Sequence, residues 1–362
     1  MERRFTSRKV CLDWTEKETK SEIPASSIQN TYEQLKLTYE KDLRQSWAEQ
    51  LESPNQILEQ LSVAACLIEL WKVMFKPDQS APKTPKFVDI ACGNGILVYV
   101  LCMEGYEGSG YDACHRKSWD TFPAEIRSCL HEKVIIPKPF LDVLDAQEIE
   151  IDLGIGVESG VFPDTFIISD HADELTVWTP ILAALACPES PLPFLVTPCC
   201  SRSLAGSSLR YPVNGVQAIG PLGTDLYGDG PRKGPQPCSG DLRALRVAKM
   251  KEKTESGFLD SMVGSLVAKT ASVAGEVGCG VAKAWLRTPG AVNLALVGGW
   301  ETAVSCSGSG DLAGDLVAAR LKIMEVVERE CLRDGGIQAA ARLWVERVRT
   351  LRCANGTQYR SH

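Results

Sequence analysis

The run Val88-Asp89-Ile90-Ala91-Cys92-Gly93-Asn94-Gly95 has the residue types and order to hold a small charged ligand. Glycines at the end of an apolar stretch let the backbone pass close to a ligand. A helix starting just after them offers N–H groups that lack intrahelical partners. In a dinucleotide site those groups would meet a pyrophosphate. Here the glycines read G-N-G and do not extend to G-x-G-x-x-G, and an acidic residue, Asp89, stands inside the apolar run. A carboxylate there suits a ligand that carries an ammonium group. Asp112 closes the next apolar stretch, where a carboxylate can accept hydrogen bonds from both hydroxyls of a ribose.

Together the two features point to S-adenosyl-L-methionine, with Asp89, Ala91, Cys92, Gly93, Asn94, Gly95, Asp112 and Asp170 as the residues that would hold it. The plainer alternative is a glycine-rich turn with a structural aspartate. A nicotinamide-dependent oxidoreductase is disfavoured because the third glycine is absent.

The elements around these residues follow from periodicity. Leu35, Tyr39, Leu43 and Trp47 recur at four-residue spacing and predict a helix over 29–52, with a second over 55–75. Prolines 77, 82 and 85 end helical structure. The stretch 86–91 reads as a buried strand, 96–104 as a helix and 108–111 as a strand, which makes a βαβ unit. A helix is expected around 118–131 and a strand near Val134, while 138–162 resists assignment. Strands are expected at 165–169 and 193–197, with a helix over 173–186 between them. Residues 240–277 read as mainly helical, and 280–285 with 293–297 as a last strand pair. The domain organisation so read is a loose arm over 1–28, a helical region over 29–84, a catalytic domain over 85–300 with a Gly/Pro/Ser-rich loop insertion at 201–238, and a linker with a helical tail over 301–362. The fold class is α/β: a doubly wound, mostly parallel sheet.

Composition sets outer bounds. The chain has 362 residues and a formal net charge of -7, so it is not built to coat nucleic acid indiscriminately. RNA binding would need a local basic face. The 14 cysteines have no C-x-x-C spacing and only four histidines accompany them, so no metal site is expected. No signal peptide and no membrane span is read, which predicts a cytoplasmic protein with reduced thiols.

The segment FVDIACGNGILVYVLCMEGYEGSGYDACHRKSWDTF resembles the cofactor region of the tRNA uridine-2'-O-methyltransferase family, which modifies serine tRNA near its variable arm. Further blocks agree. Helices 32–71 resemble the family's upstream helices, and Asp170-His171-Ala172-Asp173-Glu174-Leu175-Thr176-Val177-Trp178 is similar to its D-H-x-D-E-L-T-P-W block. Phe194 to Cys200 resembles its L-P-C-C block, and Leu286-Arg287-Thr288-Pro289 its L-R-I-P-S-T-K stretch. The resemblance covers roughly residues 30–300 with gaps. It implies a Rossmann-like class I methyltransferase core, S-adenosyl-L-methionine as methyl donor, and tRNA, serine tRNA foremost, as the partner. Three positions depart from the pattern: Ala91 replaces a glycine, Val177 a proline, and Gly290-Ala291-Val292 replace Ser-Thr-Lys.

Transfer to a ribose 2'-hydroxyl needs that hydroxyl positioned in line with the methyl, and a nearby group to orient it or take its proton. Asp173, Glu174 and Arg287 are the catalytic candidates. The alternative for the two acids is a cluster that complements a helix dipole. His171 reads more readily as a structural histidine. Cys199-Cys200 could supply a nucleophile, but a turn lining the pocket is the simpler reading. Arg116 and Lys117 are the substrate-binding candidates, expected to meet phosphates. The run Arg243, Arg246, Lys249, Lys251, Lys253 reads first as a solvated helix face, and Trp119 and Trp178 as packing before base stacking. A protein or small-molecule acceptor, or an inactive partner subunit, stays open.

Overall fold

A computed structural model describes residues 11–14, 23–49, 52–75, 85–149, 151–209, 211, 261–289, 292–300 and 312–354. Among the described residues nine strands form one sheet: β1 (Cys11–Trp14), β2 (Lys86–Ile90), β3 (Gly108–Asp112), β4 (Leu130–Ile135), β5 (Gly156–Glu158), β6 (Thr165–Asp170), β7 (Phe194–Thr197), β8 (Val281–Arg287) and β9 (Val292–Gly298). Their order is β1-β8-β9-β7-β6-β2-β3-β4-β5. The pairs from β7 through β5 are all parallel, and β9 pairs antiparallel with both β7 and β8. The order reverses between β2 and β6, so the crevice over the C-terminal ends of these two strands is where such a sheet binds ligands.

Side chains alternate across the sheet and are buried on both faces, as parallel strands covered by helices require. Phe87, Phe166, Ile168 and Leu195 point to one face, which is covered by α1 (Ala25–Gln45), α2 (Gln56–Met74), α3 (Ile96–Met103) and the short α4 (Ala124–Arg127). Val88, Ile90, Ile167, Phe194 and Val196 point to the other. That face is covered by α5 (Lys138–Ala146), α6 (Leu175–Ala186), α7 (Met262–Glu276), α8 (Leu312–Cys331) and α9 (Ile337–Ala354). The expected doubly wound α/β sheet is therefore present, with the early helices part of its core. Trp344 of α9 is buried and its indole N–H donates to the Ile135 carbonyl at 3.1 Å, which ties the last helix into the domain.

Several elements differ from the sequence reading. The helix expected at 118–131 is a 3-10 turn over Lys117–Thr121 followed by α4, because Pro123 cannot donate to a continuous helix. Within 138–162 the chain forms α5 and β5, with α5 opened by Pro137 and Pro139. Inside the stretch read as a loose arm, Cys11–Trp14 forms an edge strand on β8 and α1 begins at Ala25. Of the 201–238 insertion, residues 201–209 and 211 are described, with a bridge between Arg202 and Ser208. The basic run 243–253 and the linker 301–311 lie outside the described residues.

Candidate active site

The bend after β2 is built from left-handed backbone. Ala91 has φ 65°, Gly93 φ 53° and Gly95 φ 74°. At Gly95 the positive φ strains any larger residue, and a Cβ there would also press on the indole nitrogen of Trp119 at 3.0 Å. Gly93 is the opposite case: a Cβ there would meet nothing within 4 Å, so this part of the bend faces open space. Asp112 reaches across from the end of β3, and its carboxylate accepts from the Gly93 N–H at 3.0 Å and the Cys114 N–H at 2.9 Å. Burial raises the Asp112 carboxyl, against the pull of Arg116 and of those two N–H donors. The bend and the carboxylate thus face each other directly.

Asp89 is buried on β2, and its Oδ1 has no hydrogen-bond donor. Burial first, then the negative charges of Asp170 and Asp112, push its carboxyl well above the usual range. Asp170 ends β6. Its Oδ2 accepts from the Gln60 side chain at 3.2 Å, while its buried Oδ1 also lacks a donor.

Beyond Asp170 the chain turns sharply, with His171 at φ 56° and Asp173 at φ 45°. Non-glycine residues in this region are strained, and such residues gather at functional sites. The His171 N–H is tied to the Thr197 carbonyl at 3.1 Å, and its side chain is 49% exposed. Glu174 is only 12% exposed and is held by Arg347 of α9 at 2.8 Å. Asp173 Oδ1 accepts from the Cys199 thiol at 3.2 Å. Hydrogen bonding with Cys200, then burial and Asp173, keep the Cys199 proton on, and Cys200 is the more acidic thiol of the two. Among the described residues, Asp173, Cys199 and Cys200 form one group whose ligand-type atoms lie within 4.8 Å of one another. Arg202 and Arg347 act on the same group, so it has positive charge beside it already.

Arg287 ends β8 opposite Val292 of β9, at the same edge of the sheet as the crevice. From this hairpin Asn293 places its amide nitrogen 3.2 Å from Nε2 of His171. Gly290 and Ala291 lie outside the described residues. Arg116 is turned inward, with its guanidinium 3.5 Å from Glu52, while Lys117 stays exposed. Trp119 donates to the Gly93 carbonyl at 2.9 Å and Trp178 to the Leu204 carbonyl at 2.9 Å; both are buried, so both are packing residues.

The contribution of α2 and of the segment before it was not read from the sequence. Asn94 donates to Glu52 at 3.1 Å and to Gln56 at 3.2 Å, and Glu49 accepts from Ser118 beside the bend at 2.9 Å. Gln56 and Gln60 are four residues apart and share a face of α2. That polar pair on one face of a largely apolar helix was the available signal. Asn293 and Arg347 carried none.

S-adenosylmethionine fits the residues present. Two buried carboxylate oxygens without donors, Asp89 Oδ1 and Asp170 Oδ1, suit a cationic amino-acid end, and the open side of Gly93 leaves room beside Asp112.

Residues 23–137 match the family described as "Predicted AdoMet-dependent methyltransferase". The chain is similar to a tRNA (uracil-O(2)-)-methyltransferase of Aspergillus oryzae, 44% identical over 356 residues, which is 92% of this chain and 56% of that protein. The protein of the same name from Yarrowia lipolytica is 30% identical over 349 residues, covering 92% of this chain and 52% of its own length. That of Neurospora crassa is 41% identical over 201 residues, covering 52% and 38%. The chain therefore spans about half the length of these relatives. No solved structure matches it.

Proposed function

We propose that this chain moves a methyl group from S-adenosylmethionine to the ribose 2'-oxygen of a uridine in tRNA, with serine tRNA as the first substrate to test; the match of residues 23–137 to an AdoMet-dependent methyltransferase family and the names of the relatives support this reading. The observation that carries the cofactor part is the pair of donorless buried oxygens, Asp89 Oδ1 and Asp170 Oδ1, beside the open bend at Gly93. The acceptor rests on the relatives' names and on the family likeness of the blocks at 170–178, 194–200 and 286–289.

When bound, the cofactor supplies an electrophilic methyl on a sulfonium. In this reading Asp89 and Asp170 hold its amino-acid end. Asp112 and the backbone of Ala91, Cys92, Gly93, Asn94 and Gly95 shape the place for its adenosine, with Asp112 using its remaining lone pairs. Asp173 faces the acceptor from the turn after β6. Glu174 positions that turn through Arg347. Arg287, at the tip of the hairpin, and exposed Lys117 meet the RNA backbone, and Arg116 fixes the turn beside Glu52. No helix among the described residues is long and apolar enough to cross a membrane. We place the protein's action in the cytoplasm, in keeping with its free thiols.

A second reading keeps the cofactor but not the turnover. The sequence supports it at one point: Gly290-Ala291-Val292 stand where the family likeness expects Ser-Thr-Lys. One experiment separates the two. S-adenosylhomocysteine is titrated calorimetrically, and transcribed tRNAs, serine tRNA among them, are assayed for 2'-O-methyluridine. Binding with methylation supports the enzyme; binding without methylation of any tRNA supports the inactive subunit.

A further inference from the structure

We propose that His171 is the catalytic base of this site, taking the proton of the acceptor hydroxyl at Nδ1 while Asn293 and Asp170 hold its ring. The inference rests on the methyl-transfer reading above and names the group that reading leaves open.

Three observations converge on the imidazole. First, four carboxylates at this edge of the sheet are engaged or buried. Glu174 is paired with Arg347, Asp173 accepts from Cys199, and Asp112 bridges two backbone N–H groups. Asp89 is buried. The His171 side chain, by contrast, is 49% exposed at the C-terminal end of β6, where the crevice opens. Secondly, its backbone is held at φ 56°, in the left-handed region, and its N–H is pinned to Thr197 on the neighbouring strand. A large side chain pays a conformational cost there. Thirdly, the ring is gripped on its Nε2 side from two elements. Asn293 of β9 lies 3.2 Å away, and Asp170 Oδ1, the buried oxygen without a donor, lies 3.9 Å away. Glu59 of α2 adds a further negative charge that acts on the same ring.

As placed, the Asn293 amide nitrogen faces Nε2 at 3.2 Å. With the amide turned end for end, its oxygen accepts from Nε2–H, and Asp170 Oδ1 at 3.9 Å favours a proton on that nitrogen. Nδ1 is left with its lone pair as the basic atom. In the transfer, the 2'-oxygen forms a bond to the methyl carbon as the carbon–sulfur bond breaks, and the electron pair of that bond stays on sulfur. The hydroxyl proton passes to Nδ1 of His171. The resulting imidazolium keeps its Nε2–H on Asn293, with Asp170 and Glu59 offsetting the charge, and releases the new proton to solvent. Asn293 and Asp170 are positioning residues in this scheme.

The test uses the full chain, transcribed serine tRNA and labelled S-adenosylmethionine. His171→Asn is the chosen variant because asparagine tolerates a positive φ and has no basic nitrogen. The expected result is a kcat lower by about a hundredfold or more, the usual contribution of such a group, with S-adenosylhomocysteine affinity within about twofold of wild type by calorimetry. Added imidazole restores part of the His171→Ala rate, and Asn293→Ala lowers kcat about tenfold without changing the tRNA KM. In the protein without cofactor, diethyl pyrocarbonate modifies His171, and tRNA slows that modification. Retention of more than about a tenth of the kcat in His171→Asn overturns the base and leaves the methyltransferase reading standing. A wild-type chain that binds S-adenosylhomocysteine and methylates no tRNA overturns both.

Discussion

Asp89 and Asp170 stand at the ends of the adjacent parallel strands β2 and β6, and each keeps one buried carboxylate oxygen without a donor. The negative charge of Asp170 adds to burial in raising the Asp89 carboxyl. Such a pair costs stability by itself, and a cation held between the two would relieve it.

Asp89→Asn tests this through pH. A carboxyl whose pKa is raised on folding holds its proton more tightly in the native state. Native stability therefore falls as pH rises from the unfolded value of about 3.9 towards the higher folded value. The expected outcome is a melting temperature above wild type at pH 7 to 8, with the difference vanishing near pH 4. S-adenosylhomocysteine binding weakens about tenfold or more in the same variant, since a charge-assisted contact is lost. Thermal scans across pH and calorimetry check both halves.

Asp112→Ala removes the acceptor for two backbone N–H groups at once. The expected loss is about 1–3 kcal/mol of stability in urea. Binding of S-adenosylhomocysteine should disappear as well. Equal binding in wild type and variant would remove Asp112 from the cofactor site.

Ala91→Gly should stabilise. At φ 65° the alanine Cβ crowds its own backbone, and glycine does not. A gain of about 1 kcal/mol in urea unfolding is expected, with cofactor affinity unchanged within about twofold. A loss would show that the bend is held in this shape only when Ala91 is present.

Trp344→Ala separates the last helix from the site. Trp344 is buried against Phe140 and Trp178, and it donates to the Ile135 carbonyl. A cost of about 3–5 kcal/mol is expected. At a temperature where the variant is folded, S-adenosylhomocysteine affinity should match wild type.

What the sequence disclosed depended on how local the signal was. The bend from Val88 to Gly95, the strand ending at Asp112 and the last strand pair were legible, because an apolar run, glycines and an acid lie within a few residues of one another. The grip of α2 on the bend was not, because it depends on Gln56 and Gln60 meeting residues far along the chain. The same holds for His171: its own neighbours suggest a structural role, and only the folded hairpin brings Asn293 to its ring. Glu174 was legible only in part: its place after β6 suggested chemistry, and its partner Arg347 comes from far along the chain. Left-handed backbone at Ala91 cannot be read from its residue type, and at His171 and Asp173, whose types are enriched there but still mostly adopt negative φ, the type alone does not announce it.

The antiparallel pairing of β1 with β8 sets Cys11 against Arg287 and Trp14 against Ala284. During synthesis, at about 5–20 residues per second, β1 leaves the ribosome on the order of tens of seconds before its partner strand exists. Throughout that interval the central parallel strands can assemble, while the crevice lacks Asn293 and the sheet lacks its final edge. Ordering of the first strand therefore reports completion of the hairpin, and a nascent chain halted before β8 should leave β1 open to proteolysis.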